Sequence, residues 1–262
     1  MNGSNNQLHW TRRDALRAMA VAASGLVLPG CSDQGVRDLG PEVDPRLSAR
    51  AGTPTISAST GSASFGASGS QCIIYVPSTV NRTTPTGLYI FLHGALRTVE
   101  FFVDGHKPAA DRNGVIILAP YSTSGTWDAI HGRFSNDVLI INEALKWTFD
   151  RWTIDPARLA LCGFSDGGTY SLALGRANGD VFSKVVAYAP GFLIPITAIG
   201  KPPILITHGR EDNVLPIDQT SRLIVPALRQ QGYEVDYREF TGTHAVPLSV
   251  AEEVVQSLGT PR

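Results

Sequence analysis

Ser165 stands in Leu161-Cys162-Gly163-Phe164-Ser165-Asp166-Gly167-Gly168, where an apolar run ends in Gly-x-Ser-x-Gly and a helix-forming stretch begins. A serine hydroxyl is a weak nucleophile. It becomes effective when a base takes its proton and a tight strand-to-helix turn holds the oxygen out toward a carbonyl carbon. Arg158 to Cys162 reads as a short buried strand, and Thr169 to Ala177 carries Tyr170, Leu172, Ala173 and Leu174 on a helical stretch. The serine therefore falls where strand becomes helix, with glycines two before and two after it giving the backbone room.

A base and an acid follow in chain order. Pro203 to Gly209 is a buried-strand candidate, and just past it comes Arg210-Glu211-Asp212-Asn213. Asp212 is the candidate acid, with Glu211 and Asp218 as alternatives. After the alternating strand Val235 to Phe240, the loop Thr241-Gly242-Thr243-His244 supplies the candidate base, His244. Ser, then Asp, then His is the order of the α/β-hydrolases and differs from the orders of chymotrypsin and subtilisin. Leu88 to Leu92 opens into His93-Gly94-Ala95-Leu96. An acyl-transfer intermediate carries negative charge on the former carbonyl oxygen, which preorganised backbone amides stabilise. The amide of Asp166, directly after the nucleophile, is one candidate; the other is that of Ala95, with Leu96 as its alternative. His93 and His208 read as side chains that fix loops.

Taken together, Phe91-Leu92-His93-Gly94, Gly163-Phe164-Ser165-Asp166-Gly167-Gly168, His208-Gly209-x-x-Asp212 and His244 resemble the phospholipase/carboxylesterase branch of the α/β-hydrolases, over about Gln71 to Leu258. Within that branch the chain is similar to serine esterases that carry Thr-Trp-Asp before the second core helix, here Thr126-Trp127-Asp128. The resemblance implies a mostly parallel central sheet with helices on both faces, and hydrolysis of carboxylic esters through an acyl-enzyme without a cofactor. Familiar members have Gln after the nucleophile where this chain has Asp166, a carboxylate that argues against a strongly anionic substrate. The same triad serves thioesterases, polyester depolymerases and peptidases, and a degenerate copy of the fold could bind a ligand on a surface lipoprotein.

The elements agree with that fold. Strand candidates at Cys72–Val76, Leu88–Leu92, Val115–Ala119, Leu159–Cys162, Val185–Tyr188, Ile204–Thr207 and Val235–Phe240 alternate with helices expected at Asp137–Arg151, Gly167–Ala177, Gln219–Gln231 and Leu248–Leu258. Asn136 and Asp218 are candidate amino-terminal caps. The loops look short, with no insertion long enough for a lid, which favours an open pocket and small or solvent-accessible esters. Phe101, Phe102, Phe192 and Leu193 fall near the expected catalytic rim and read singly as core packing. Trp127 and Asp128 are the expected substrate contacts, because an indole in a Gly/Ser/Thr loop has no obvious place in a core.

A chain of 262 residues holds one core of ordinary size plus a tail. With 17% charged residues, a formal net charge of -1 and no basic run, nucleic acid is not an expected partner. No pair of His or Cys has metal-ligand spacing. Arg12-Arg13 directly before the apolar stretch Ala18 to Leu28, too short to span a membrane, reads as a twin-arginine export signal over residues 1–30. Leu28-Pro29-Gly30-Cys31 resembles a lipoprotein box that would lipidate Cys31, although Pro29 replaces the usual small residue; cleavage within Ala22 to Gly25 and a soluble exported product is the alternative. Residues 31–70 are rich in Ser, Gly, Thr and Pro and read as a polar tether, its last part open to forming an edge strand, before a catalytic domain over 71–262. Cys72 and Cys162 read as buried small apolar residues on strands that the implied fold keeps apart.

Overall fold

A computed structural model describes residues 41–95, 97 and 99–259; the twin arginine, Cys31 and Leu96 lie outside the described residues. Long apolar runs set the architecture. Every residue of β3 (Thr86–Leu92) and β4 (Val115–Pro120) is buried, as strands covered on both faces must be. They lie in an eight-stranded sheet with β1 (Gly61–Ala67), β2 (Ser70–Val76), β5 (Ile154–Phe164), β6 (Lys184–Tyr188), β7 (Ile204–Gly209) and β8 (Val235–Phe240), in the order β1-β2-β4-β3-β5-β6-β7-β8. β1 and β2 pair antiparallel, as do β2 and β4, and the remaining pairs are parallel. All seven expected strands form.

Alternation along the strands builds two cores. Leu88, Ile90 and Leu92 of β3 join Leu159 and Leu161 of β5 on one face, under α2 (Asn136–Phe149) and α3 (Asp166–Ala177). Tyr89, Phe91, Ala160 and Cys162 point the other way, toward α1 (Val99–Asn113) and α5 (Leu248–Gly259). Ile204 and Ile206 of β7 meet Ile224, Val225 and Leu228 of α4 (Ser221–Gln230) on the first face. Cys72 and Cys162 are free and buried, with β4 and β3 between their strands. Burial pushes the Cys72 thiol up to about 12, so it stays protonated at neutral pH.

Four expectations need correction. Helix α1 was not anticipated; it buries Phe102 in the core as expected, stacked on Phe91 with ring centroids 3.2 Å apart, whereas Phe101 on the same helix and Phe192, also read as core packing, are exposed. Neither expected cap acts as one. Asn136 is inside α2, whose first amides are met by Asp128, while exposed Asp218 pairs with Arg222. The connectors 121–135 and 189–203 are longer than expected, but the first is packed inward around buried Trp127.

The polar segment expected as a tether lies against the body from Val43 onward. The Val43 amide donates to the Phe134 carbonyl, the amides of Thr55 and Ile56 donate to that of Asp150, and Arg46 forks onto Asp180. Leu47 is 3% exposed within the α2/α3 core. Composition misleads here because a few well-placed apolar side chains, Leu47 and Ala49 the most buried, dock a segment whose amides find acceptors at Phe134, Asn142, Asp150 and Asn178. Leu47→Ala should therefore lower unfolding stability by about 2 kcal/mol or more in urea titration, whereas a free tether would show no change.

Candidate functional site

The carboxyl ends of the parallel strands bring the singled-out residues to one rim. Ser165, between β5 and α3, has φ 56° and ψ −119°, a left-handed conformation that a side chain rarely adopts and that stores about 1–3 kcal/mol. Its amide donates to the Tyr188 carbonyl and its carbonyl accepts from the Thr169 amide, each at 2.9 Å, so the turn is held from both sides. Close approach explains the glycines around it. A Cβ on Gly163 would strike the Gly167 carbonyl, and one on Gly167 would strike the Leu92 carbonyl at the end of β3. A Cβ on Gly94 would sit 3.2 Å from that of Ser165, which places the His93-Gly94-Ala95 loop directly against the nucleophile candidate. Ala95 is half-buried in that loop, and Asp166 opens α3, where free amides and the helix dipole favour negative charge.

His244 is 2% exposed, and its Nδ1 lies 2.6 Å from Asp212 Oδ2. Only a protonated Nδ1 can donate to that carboxylate, which leaves Nε2 as the basic nitrogen of the neutral ring. Of the three candidate acids, the structure brings Asp212 to the imidazole; Glu211 and Asp218 are exposed. The strand ends carry both loops: the Glu211 amide donates to the Gly242 carbonyl at 2.9 Å, joining the acid loop to the histidine loop. The Phe164 ring lies 4.6 Å from the imidazole.

Burial disfavours the Asp212 carboxylate, but His208, His244 and the Leu215 amide donate to it and outweigh that effect, so its pKa lies well below the usual range. Asp212 Oδ1 accepts from the amides of Val214 and Leu215 at 2.9 and 2.8 Å, and His208 Nε2 lies 3.1 Å from Oδ2. His208 Nε2 also faces the Leu215 carbonyl, so Nε2 carries its proton and Nδ1 accepts from the Ser221 hydroxyl. This second imidazole on the acid is a partner that the sequence reading gave only a loop-fixing role.

Trp127 and Asp128 are corrections. The indole is wholly buried; its Nε1 donates to the His93 carbonyl at 2.7 Å, and its ring packs between His93 and Tyr170. It supports the loop before Gly94 from below and touches no open space. Asp128, 2% exposed, accepts from the amides of Ser135 and Asp137, while Asp137 accepts from the amides of Asp128 and Thr123. Burial, helped by Asp128, lifts the Asp137 carboxyl to about 6. Thr126, which the sequence reading gave no role of its own, donates its hydroxyl to the Asp166 carboxylate at 2.6 Å. The Thr-Trp-Asp run thus fastens Asp166, the His93 loop and the start of α2. Burial raises the Asp166 carboxyl despite that bond and the nearby imidazoles of His244 and His131.

His93 holds the loop together. Its Nδ1 donates to the Gly94 carbonyl at 2.6 Å and its Nε2 accepts the Ser122 amide at 3.0 Å. Burial lowers its pKa from 6.5 to about 4, helped by the Arg97 charge and opposed by the Gly94 bond. The unfolded chain therefore takes up a proton between pH 6.5 and 4 that the folded chain refuses, and the stabilisation by the neutral ring, complete above pH 6.5, is lost as pH falls toward 4. The stability difference between the parent and His93→Gln should accordingly narrow over that window, by up to ~3 kcal/mol at 1.36 kcal/mol per pKa unit. A difference that stays constant in urea titrations from pH 7 to 4.5 would show that the ring is not kept neutral.

Comparison with known proteins finds esterases and other hydrolases. The model of the dienelactone hydrolase family matches residues 120–246, a range that includes Ser165, Asp212 and His244. A probable feruloyl esterase C of Aspergillus oryzae is 30% identical over 157 residues, 56% of this chain and 57% of that protein. The chain thus spans little more than half the length of that relative. Among solved structures, an S-formylglutathione hydrolase of Staphylococcus aureus superposes with a TM-score of 0.62 at 12% identity, covering 77% of this chain and 99% of that one. An acetyl xylan esterase from Aspergillus awamori gives 0.58 at 15% identity, covering 78% and 100%. The fold is that of the α/β-hydrolases.

Proposed function

We propose that the protein hydrolyses carboxylic esters through an acyl-enzyme on Ser165. The observation that carries this reading is the buried His244–Asp212 pair at 2.6 Å, reached by loops that follow β7 and β8. With it goes a serine held at positive φ on the turn after β5. His244 Nε2 takes the Ser165 proton as Oγ attacks the carbonyl carbon; the alcohol leaves with that proton, and water, deprotonated by the same nitrogen, releases the acid. Asp212 stays ionised throughout and favours the imidazolium that forms. The amides of Ala95 and Asp166 hold the oxyanion. The names of the relatives, feruloyl esterase and acetyl xylan esterase, support esters of small or aromatic acids.

Export belongs to the same proposal. Arg12-Arg13 ahead of the apolar stretch, and Cys31 after Leu28-Pro29-Gly30, support a lipoprotein held at a membrane surface, with a soluble exported form as the alternative.

Ser165→Ala and His244→Ala should each abolish turnover of a panel of aryl and alkyl esters while circular dichroism stays unchanged, because triad members act as a unit. Asp212→Asn should lower kcat by up to roughly 10⁴-fold, and Glu211→Gln and Asp218→Asn by no more than about 3-fold, since neither side chain meets the imidazole. Retained turnover in Ser165→Ala would end the mechanism.

A further inference from the structure

We infer that Asp166 selects the acyl group: its free carboxylate oxygen is a subsite for an ammonium group carried a few atoms from the scissile carbonyl, an inference that rests on the ester hydrolase reading. The residue directly follows Ser165 and opens α3. Its amide is the candidate oxyanion donor, and covalent geometry keeps both carboxylate oxygens within about 5 Å of that amide. The carboxylate therefore sits beside the reacting carbonyl wherever the rest of the substrate lies.

A ladder of hydroxyls fixes this carboxylate. Ser122 Oγ donates to the Ser124 carbonyl at 2.7 Å, Ser124 Oγ to the Thr126 carbonyl at 2.8 Å, and Thr126 Oγ1 to Asp166 Oδ2 at 2.6 Å. The Ser122 amide donates to His93, so the same chain anchors the loop that carries Ala95. Oδ1 is different. It accepts no hydrogen bond among the described residues, and Asp166 belongs to none of the ion pairs there. Nor is Oδ1 one of the buried polar atoms that lack a partner, so it opens to solvent on a half-buried side chain.

An acid in the first turn of a helix ordinarily caps an amide. Here no amide of α3 donates to the carboxylate, and the charged groups facing it are the imidazoles of His244 and His131. Burial works against its ionised form. A bound ammonium would supply the missing counter-charge while its N–H groups fill Oδ1.

Position decides which half of the ester carries the cation. The alcohol leaves with the proton from His244 Nε2, whereas the carbonyl oxygen at the Asp166 amide stays with the acyl part through both steps. A group held by Asp166 therefore belongs to the acyl chain. An anion at the same place would meet the repulsion of the carboxylate.

The test uses three ethyl esters that differ in one terminal group: β-alanine ethyl ester with an ammonium, ethyl butyrate with a methyl and monoethyl succinate with a carboxylate. Each is read as kcat/KM relative to ethyl butyrate, which cancels any effect of a substitution on the shared chemistry. The parent protein should rank them ammonium, methyl, carboxylate. Asp166→Asn, which retains the shape of the side chain, should lower the ammonium ratio by about 10- to 100-fold and raise the carboxylate ratio, whereas Asp166→Glu should keep the order of the parent. A parent without the ammonium preference, or ratios unchanged in Asp166→Asn, would overturn the subsite. Absence of turnover of all three esters by the parent would sink the hydrolase reading instead. Calorimetric titration of β-alanine ethyl ester into Ser165→Ala, with and without Asp166→Asn, then decides the subsite by itself: binding lost with Asp166→Asn supports it, and identical isotherms, flat ones included, overturn it.

Discussion

The backbone of Ser165 is the constraint from which the catalytic rim is built. A serine at positive φ does not hold that shape unaided, and its neighbourhood consists of groups that allow no other path. Gly163 and Gly167 let β5, α3 and the end of β3 approach to contact, and Gly94 brings the next loop against the serine Cβ. Beneath these, His93 ties Gly94 to Ser122, Trp127 ties His93 to the α3 side, and the reciprocal Asp128 and Asp137 bonds lock the loop from which Trp127 projects. The strained turn is thus braced by hydrogen bonds that reach from Gly94 to the start of α2.

The acid side obeys a different rule. A buried carboxylate is unfavourable unless donors surround it, and Asp212 has two backbone amides and two imidazoles. Because one oxygen takes the amides, the other is left for the rings, and His244 is oriented by a charge that does not titrate in the neutral range. Preorganisation of this kind lets the imidazolium form without rearrangement of its surroundings.

Much of this could be read from residue order. Strands β2 to β8 are visible as apolar or alternating runs, and Ser165, Asp212 and His244 follow from their positions after strands. Helix α1 was hidden although its buried positions 99, 102, 103, 106, 109 and 110 have helical spacing, because His106 interrupts the apolar stripe and Gly105 and Pro108 weaken the local preference. Phe102 is stacked on Phe91 of β3, 3.2 Å between ring centres, so tertiary packing and not propensity makes the helix. Trp127 was misjudged for a related reason: a core can extend beneath a polar loop, and nothing in Gly-Thr-Trp-Asp announces that the indole turns inward to a carbonyl 34 positions away.

The docked amino-terminal segment has a directional meaning. Val43 joins the chain to Phe134, immediately before α2 and beside the loop that holds Asp166, while Thr55 and Ile56 reach Asp150 at that helix's other end. The segment therefore enters the body on the side where the parallel strands end and runs away from it along α2. Val43 thus lies on the side of the body that carries the candidate site. For a small ester this is of no consequence. For a polymer or a surface, material approaching the rim would pass the docked segment, making steric access a property of that segment as well as of the strand ends.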